Sequence, residues 1–373
     1  MTEPGIWITE TPPERPGPRM AVKDLFDTAG VRTTYGSLVF ADHVPDTTAA
    51  AVEALVGANY QVVGKANLHE FAWGITSENP HYGTVPNPIA PGRVSGGSSG
   101  GCGAALAAGI ADAALGSDSA GSIRIPSACC GVTGHKPTHG VVPIAGCWPL
   151  AKSFDVAGPM ARDVAGCARM MSALVPGFAP ARVESLDALR VGVAWTDRAD
   201  PLVRERVEAA AALFADRRTL DLPLPERIYD AFAREATDVH AELFRDHRAL
   251  YGENVATKIE RALELTDEQV AEARDALERY RERIAELTAG VDLVVTPTVP
   301  MVAPPTGIGD LALRGRMIEL TFPWSVLGAP ALALPCGPAE DGLPASVQLA
   351  GRPGDDALVL AAGHLLEAAL GAD

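Results

Sequence analysis

Residues 94–138 read VSGGSSGGCGAALAAGIADAALGSDSAGSIRIPSACCGVTGHKPT. Six of the fourteen positions from 96 to 109 are glycine: 96, 97, 100, 101, 103 and 109. Glycine loses more conformational freedom on folding than any other residue, so this density implies unusual backbone angles or close approach of another group. Apolar segments flank the run closely, which argues against a slack linker. Ala104–Gly109 continues the loop as a small-residue helix. Ala113–Ser117 reads as a strand that runs into a second Gly/Ser loop at Ser119–Ser122.

Outward from this stretch the pattern stays α/β. Strands are expected at Met20–Lys23, Leu38–Ala41, Gln61–Ala66, Leu189–Ala194 and Val291–Thr296, with a final pair, Ala331–Pro335 and Ser346–Gly351, around a turn at Asp341–Gly342. Helices are expected over Thr47–Asn59, from about Pro201 to Asp216, and at Leu358–Leu370, with two or three amphipathic surface helices across 225–288. Residues 1–19 read as an extended, Pro-punctuated arm. No linker divides the remainder, 20–373. The expected fold is a single α/β domain with a large mixed, mostly parallel central sheet covered by helices.

The chain has 373 residues and a formal net charge of -16, with 47% hydrophobic and 21% charged residues. Such a composition suits a globular protein and excludes wholesale disorder. The acidic balance opposes direct contact with nucleic acid or anionic lipid, and no run reaches the roughly 20 apolar residues of a membrane helix. The N-terminus lacks the basic and apolar regions of a secretory signal. The six cysteines (102, 129, 130, 147, 167 and 336) form no CxxC pair or regular framework, so reduced thiols in a cytoplasmic protein are expected.

Three chemistries compete for the Gly/Ser stretch. A phosphate cradle is opposed by the absence of GK[ST] after GGSSGG. A serine hydrolase with a histidine base needs a G-x-S-x-G elbow. Gly97, Ser99 and Gly101 match that motif, as do Gly96, Ser98 and Gly100, but a Gly/Ser-rich run matches it easily, and the downstream histidines have no diagnostic context. His135 and His139 are separated by Pro137, which weakens a metal site there, and no metal is expected. The third chemistry uses lysine as base, and Lys23 and Lys65 both end apolar strands. At an ordinary pKa only about one lysine in 2,500 is neutral at pH 7, whereas a burial shift of about three units raises that to roughly a quarter. Without a chemical role, Lys23 is expected to pair with Asp24 and Lys65 with Glu70. Position along the chain does not choose between the two.

The segments MAVKDLFDTAG, GKANLHEF, VSGGSSGG, GSDSAGSIRIPSACCGVTGHKPT and FDVAGPMARDV, in that order, resemble the amidase signature family. The likeness is strong from about Met20 to Val164, with a signature core at about 60–165, and resumes weakly near the C-terminus. It implies a Ser-Ser-Lys triad: Lys23 as base, Ser98 as relay after a cis Gly97–Ser98 peptide, and Ser122 as nucleophile. Lys65 then reads as supporting structure. The backbone N–H groups of Ser119, Ala120, Gly121 and Ser122 are the implied oxyanion hole, and no cofactor is implied. Ser122 has a competing role as a helix N-cap. Gly97, Ser99, Arg124, Trp148 and Trp324 are candidate substrate-binding residues. Arg124 could pair with an acid instead, and either tryptophan could belong to the core.

The implied function is hydrolysis of a small carboxamide to an acid and ammonia or an amine through a seryl acyl-enzyme. One alternative is the glutaminase-type subunit of a tRNA-dependent amidotransferase, and another is an inactive member acting as a binding protein. The implied partner is a small-molecule amide, with a homodimer possible. Three departures from the family pattern stand out, one of them a short stretch between the signature and the C-terminal segments that would reshape the substrate pocket. A Pro-rich arm occupies the place of a long helical leader, and Ala120 replaces the first glycine of the usual pair in the oxyanion loop.

Overall fold

The computed structural model describes residues 4–13 and 15–371. Among the described residues there are thirteen strands: β1 (Trp7–Glu10), β2 (Arg19–Lys23), β3 (Gln61–Ala66), β4 (Glu78–Asn79), β5 (Gly83–Thr84), β6 (Ala113–Asp118), β7 (Thr133–Lys136), β8 (Val156–Ala161), β9 (Arg190–Val193), β10 (Asp216–Thr219), β11 (Leu293–Pro297), β12 (Ala331–Pro338) and β13 (Pro344–Ala350). Eleven of them form one mixed sheet in the order β1-β3-β2-β6-β8-β7-β12-β13-β11-β9-β10, and β4 and β5 form a separate two-stranded ribbon.

The expected single-domain α/β architecture with a large mixed sheet is the one observed. The share of parallel pairing is smaller than expected. Only β2–β3, β2–β6, β9–β11 and β9–β10 run parallel, while the other six neighbouring pairs are antiparallel. The centre of the sheet is built from β8, β7, β12 and β13, whose connections carry no full βαβ crossover into a parallel neighbour.

Within the expected N-terminal arm, Trp7–Glu10 pairs antiparallel with β3, so this stretch forms part of the sheet. Leu38–Phe40 is a 3-10 turn capped by Ser37, not a strand. The helical middle resolves into Tyr229–His247, Glu253–Leu263 and Asp267–Thr288, the last opened by a Thr266/Gln269 capping box. Among the described residues no helix is long and apolar enough to cross a membrane.

The Gly-rich run becomes the helix Gly100–Ala107, buried on almost every side. A Cβ at Gly101 would lie 2.4 Å from the carbonyl oxygen of Asn67. The bare backbone lets this helix press against the end of β3, where the Gly101 N–H donates to that same carbonyl at 2.9 Å. Asn67 in turn donates to the carbonyls of Gly5, Tyr82 and Gly83. This close stacking holds the loop before the helix at the C-terminal ends of β2 and β6.

Candidate active site

Lys23 is the last residue of β2 and Lys65 the fifth of β3. The parallel register pairs Val22 with Lys65 and Lys23 with Ala66. Cross-strand partners share a face and successive residues alternate, so the two lysines lie on opposite faces of the sheet. The same alternation puts Asp24 on the Lys65 side. Lys65 Nζ lies 3.4 Å from Asp24 Oδ1 and donates to Phe26 O and Thr33 Oγ1, each at 2.6 Å. The expected pairings, Lys23 with Asp24 and Lys65 with Glu70, are therefore not made. Glu70 instead accepts from Ser37 Oγ, His81 Nε2 and the Gly252 N–H.

Lys23 is fully buried. Its Nζ donates to Ser98 Oγ at 2.6 Å and to Ser117 Oγ at 2.8 Å. Among the described residues it makes no ion pair. Burial pushes its pKa down from 10.5 to about 8. Ser117 is not among the residues the sequence singles out; its only signal is a hydroxyl following the small apolar run AALG in the strand beside β2.

The Gly97–Ser98 peptide is cis. The Ser98 carbonyl accepts from the His69 N–H at 3.1 Å and from Ser77 Oγ at 3.2 Å. Ser122, 7% exposed, is the member of the group that reaches solvent, and its carbonyl accepts from the Ser99 N–H at 3.2 Å. Its Oγ makes no hydrogen bond among the described residues. Ser122 is not a helix cap: the helix Arg124–Cys130 begins after Ile123.

Asp118, at the end of β6, shapes the turn around Ser122. Its Oδ1 accepts from the Gly121 N–H at 2.7 Å and its Oδ2 from the Ile123 N–H at 3.2 Å. Burial alone would raise this carboxyl, but Arg124 outweighs that effect and holds it below its ordinary value. Gly121 has φ of 136°, and a Cβ there would lie 2.4 Å from Thr321 Oγ1, so glycine is required. Ala120 lies outside the left-handed region, which is why alanine is accommodated. Because its N–H is committed to Asp118, Gly121 drops out of the expected oxyanion set, leaving Ser119, Ala120 and Ser122. Ser119 Oγ donates to Asp155 at 2.5 Å, and burial pushes the Asp155 carboxyl up.

The candidate substrate-binding residues separate. Arg124 is fully buried, and its donors are taken by Asp118, Thr321 O, Gln348 Oε1 and Ser325 Oγ, so it braces the turn and has no free edge for substrate. Trp324, 2% exposed, packs against Trp195 at 5.7 Å and lines a separate apolar hollow with Ile284 and Leu327. Ser99 is buried and donates to Ser117 O, and Gly97 packs against Ile75 and Ser77. Trp148 belongs to an aromatic cluster with Tyr35 and Phe40, 4.8 and 4.9 Å away. Among the described residues no group of three or more His, Cys, Asp or Glu could hold a metal ion.

An amidase family model matches residues 17–360. The chain is 36% identical, over 93% of its length and 94% of the relative's, to a glutamyl-tRNA(Gln) amidotransferase subunit of Halobacterium salinarum. It is 34% identical, over 96% of its length and 85% of the relative's, to the AtzE subunit of the 1-carboxybiuret hydrolase of Pseudomonas sp. strain ADP. A solved structure described as an amidase superposes with a TM-score of 0.87 at 35% identity, covering 95% of this chain and 85% of the other. The corresponding glutamyl-tRNA(Gln) amidotransferase subunit of Thermotoga maritima superposes with a TM-score of 0.83 at 27% identity, covering 97% and 87%.

Proposed function

The chain belongs to the amidase family and is an enzyme that hydrolyses an amide C–N bond, and from that premise we propose that Ser122 is its nucleophile, Ser98 its proton relay and Lys23 its base. The observation that carries this reading is the buried Lys23 amine, 2.6 and 2.8 Å from two hydroxyls and paired with no carboxylate among the described residues. A neighbouring anion would keep the amine charged; hydroxyls stabilise either state and let burial lower its pKa.

Neutral Lys23 accepts the Ser98 hydroxyl proton while Ser98 Oγ accepts that of Ser122. Ser122 Oγ attacks the amide carbonyl carbon, and the developing oxyanion is met by the N–H groups of Ser119, Ala120 and Ser122. The proton returns through Ser98 to the leaving nitrogen, and the C–N bond breaks. Water, activated by the same relay, then releases the acid and restores Ser122.

The reading extends to a small-molecule amide as substrate, to a protein that makes no direct contact with nucleic acid, and to a cytoplasmic setting, in keeping with six free cysteines. A homodimer is the assembly to look for by sizing in solution. A second reading, the catalytic subunit of an amidotransferase, draws on the relatives of that name. Amide hydrolysis by the purified chain alone favours the first. A fluorophosphonate probe should label Ser122 and no other residue; labelling elsewhere, or turnover surviving Ser122→Ala, rejects the assignment.

A further inference from the structure

A cavity of about 400 Å³ lies between the first turn of helix Tyr229–His247 and the helix Asp310–Ile318. This volume is in the range that holds small ligands. Both of its walls are linked through the chain to the loops that carry Ser98 and Ser122. On one side Phe322 follows Thr321, whose Oγ1 donates to Ala120 O of the oxyanion turn at 2.7 Å. On the other, Tyr229 OH accepts from Trp73 Nε1 at 3.2 Å, and Trp73 lies two residues before Ile75, which packs against Gly97. The floor between them carries Arg314.

Arg314 is half-buried, with its guanidinium carbon 4.2 Å from the centre of the Tyr229 ring. Among the described residues it makes no hydrogen bond or ion pair, and neither does the Arg261 side chain at the rim. The cavity's one lining carboxylate, Glu319, is taken by Arg198 at 2.6 Å. On the same helix as Arg314, Arg316 is paired with Asp200 at 2.8 Å. Burial without a counter-charge pushes Arg314 down to about 10. In a chain of net charge -16, two guanidiniums sharing a cavity without a free acid form a local positive site. A guanidinium stacked on an aromatic face keeps its N–H edge available, and that edge matches a carboxylate in two parallel hydrogen bonds.

We propose that Arg314, seated on Tyr229 and supported by Arg261, recognises a carboxylate on the substrate, so that the preferred amides are anionic. This rests on the reading of Ser122 as nucleophile, because the cavity's claim on the substrate comes from the link that runs from its wall residue Phe322 through Thr321 to Ala120 of that turn. The carboxylate can sit on the acyl side, as in dicarboxylic monoamides, or on the leaving amine, as in N-acyl amino acids.

The test measures kcat and KM for succinamate and glutaramate against butyramide and valeramide, and for N-acetyl-β-alanine against N-propylacetamide. The anionic member of at least one set should be favoured about ten- to hundredfold in kcat/KM, the range of a charged hydrogen-bonded pair. The favoured set identifies the side that carries the charge. Arg314→Gln should erase the preference mainly through KM, Arg314→Lys should recover part of it, and Arg316→Gln should retain it. Equal turnover of neutral and anionic amides by the wild type, or an equal loss on both in Arg314→Gln, overturns the proposal. If Arg314→Gln does not fold, the wild-type ratio and the Arg314→Lys ratio decide. If no amide in the panel is turned over, glutarate binding decides: a Tm increase in the wild type that is lost in Arg314→Lys supports the site, and no increase in the wild type overturns it. Turnover that survives Ser122→Ala would reject the serine reading alone and leave the charge ratio to judge Arg314.

Discussion

Two lysines stand on adjacent strands, both fully buried, one residue out of register and on opposite faces. Around Lys65 the partners are the Asp24 carboxylate, a carbonyl and a hydroxyl. Around Lys23 they are two hydroxyls. Burial pushes both amines down, but at Lys65 the Asp24 charge works against it. Depth is common to the two sites, so depth does not make a base. What separates them is whether the protein supplies an anion. Lys65 joins β3 to the turn after β2, while Lys23 is free to give up its proton.

The largest effect that would break this contrast is on turnover. Ser122→Ala and Lys23→Met should each lower kcat/KM by about 10⁴-fold or more, with Ser98→Ala leaving a small residual rate. Near-normal rates in Lys23→Met, alongside loss of activity in folded Lys65→Met, would exchange the two roles.

The next effect is on stability and runs the other way. Lys65→Met strands the buried Asp24 carboxylate and should cost about 3–5 kcal/mol in urea unfolding. Adding Asp24→Asn should recover much of that. Lys23→Met removes a buried amine that has no counter-ion and should leave stability equal or higher. Equal losses in the two variants would erase the distinction.

The third effect concerns pH. With Lys23 near 8, about a tenth of it is neutral at pH 7, so kcat/KM should climb roughly tenfold between pH 7 and 9. The sign for folding is the same. A lysine whose folded pKa lies below its unfolded value binds fewer protons in the native state, so its contribution to stability rises with pH from about 8 to 10.5. That rise should be missing in Lys23→Met. A flat rate profile would remove Lys23 from the chemistry. The smallest expected change is in Ser117→Ala, which deletes one of the two hydroxyls on the amine and should lower the rate by about tenfold or less.

Much of this is legible in the sequence, and the omissions have physical causes. Gln61–Ala66 and the Pro201 helix start follow apolar runs and boundary signals that local chemistry controls. β7 and β8 escape such signals. β7 reads TGHK, too short and polar for a run, and β8 carries Pro159, which usually argues against an interior strand. β10, DRRT, is an exposed edge with no apolar face. The triad spacing is readable only through its resemblance to a family. The residues themselves leave Lys23 and Lys65 equivalent, because the half-turn of strand that separates their faces emerges only once the register is known. For Arg124 the sequence leaves open a substrate carboxylate or an acid partner: that acid, Asp118, lies six residues away, but Gln348 and Ser325, which occupy its other donors, lie more than 200 residues away.

That bracing arginine bears on when the enzyme becomes armed. Its guanidinium reaches Gln348 on β13, whose amide in turn donates to Thr296 of β11 and to Leu320 O. During synthesis the GSDSAGS turn leaves the ribosome long before any of these contacts exists. The proposed nucleophile therefore acquires its final support only when the last strand of the sheet docks, and a polypeptide halted before residue 348 would carry every member of the proposed triad yet lack a braced turn for them to work in.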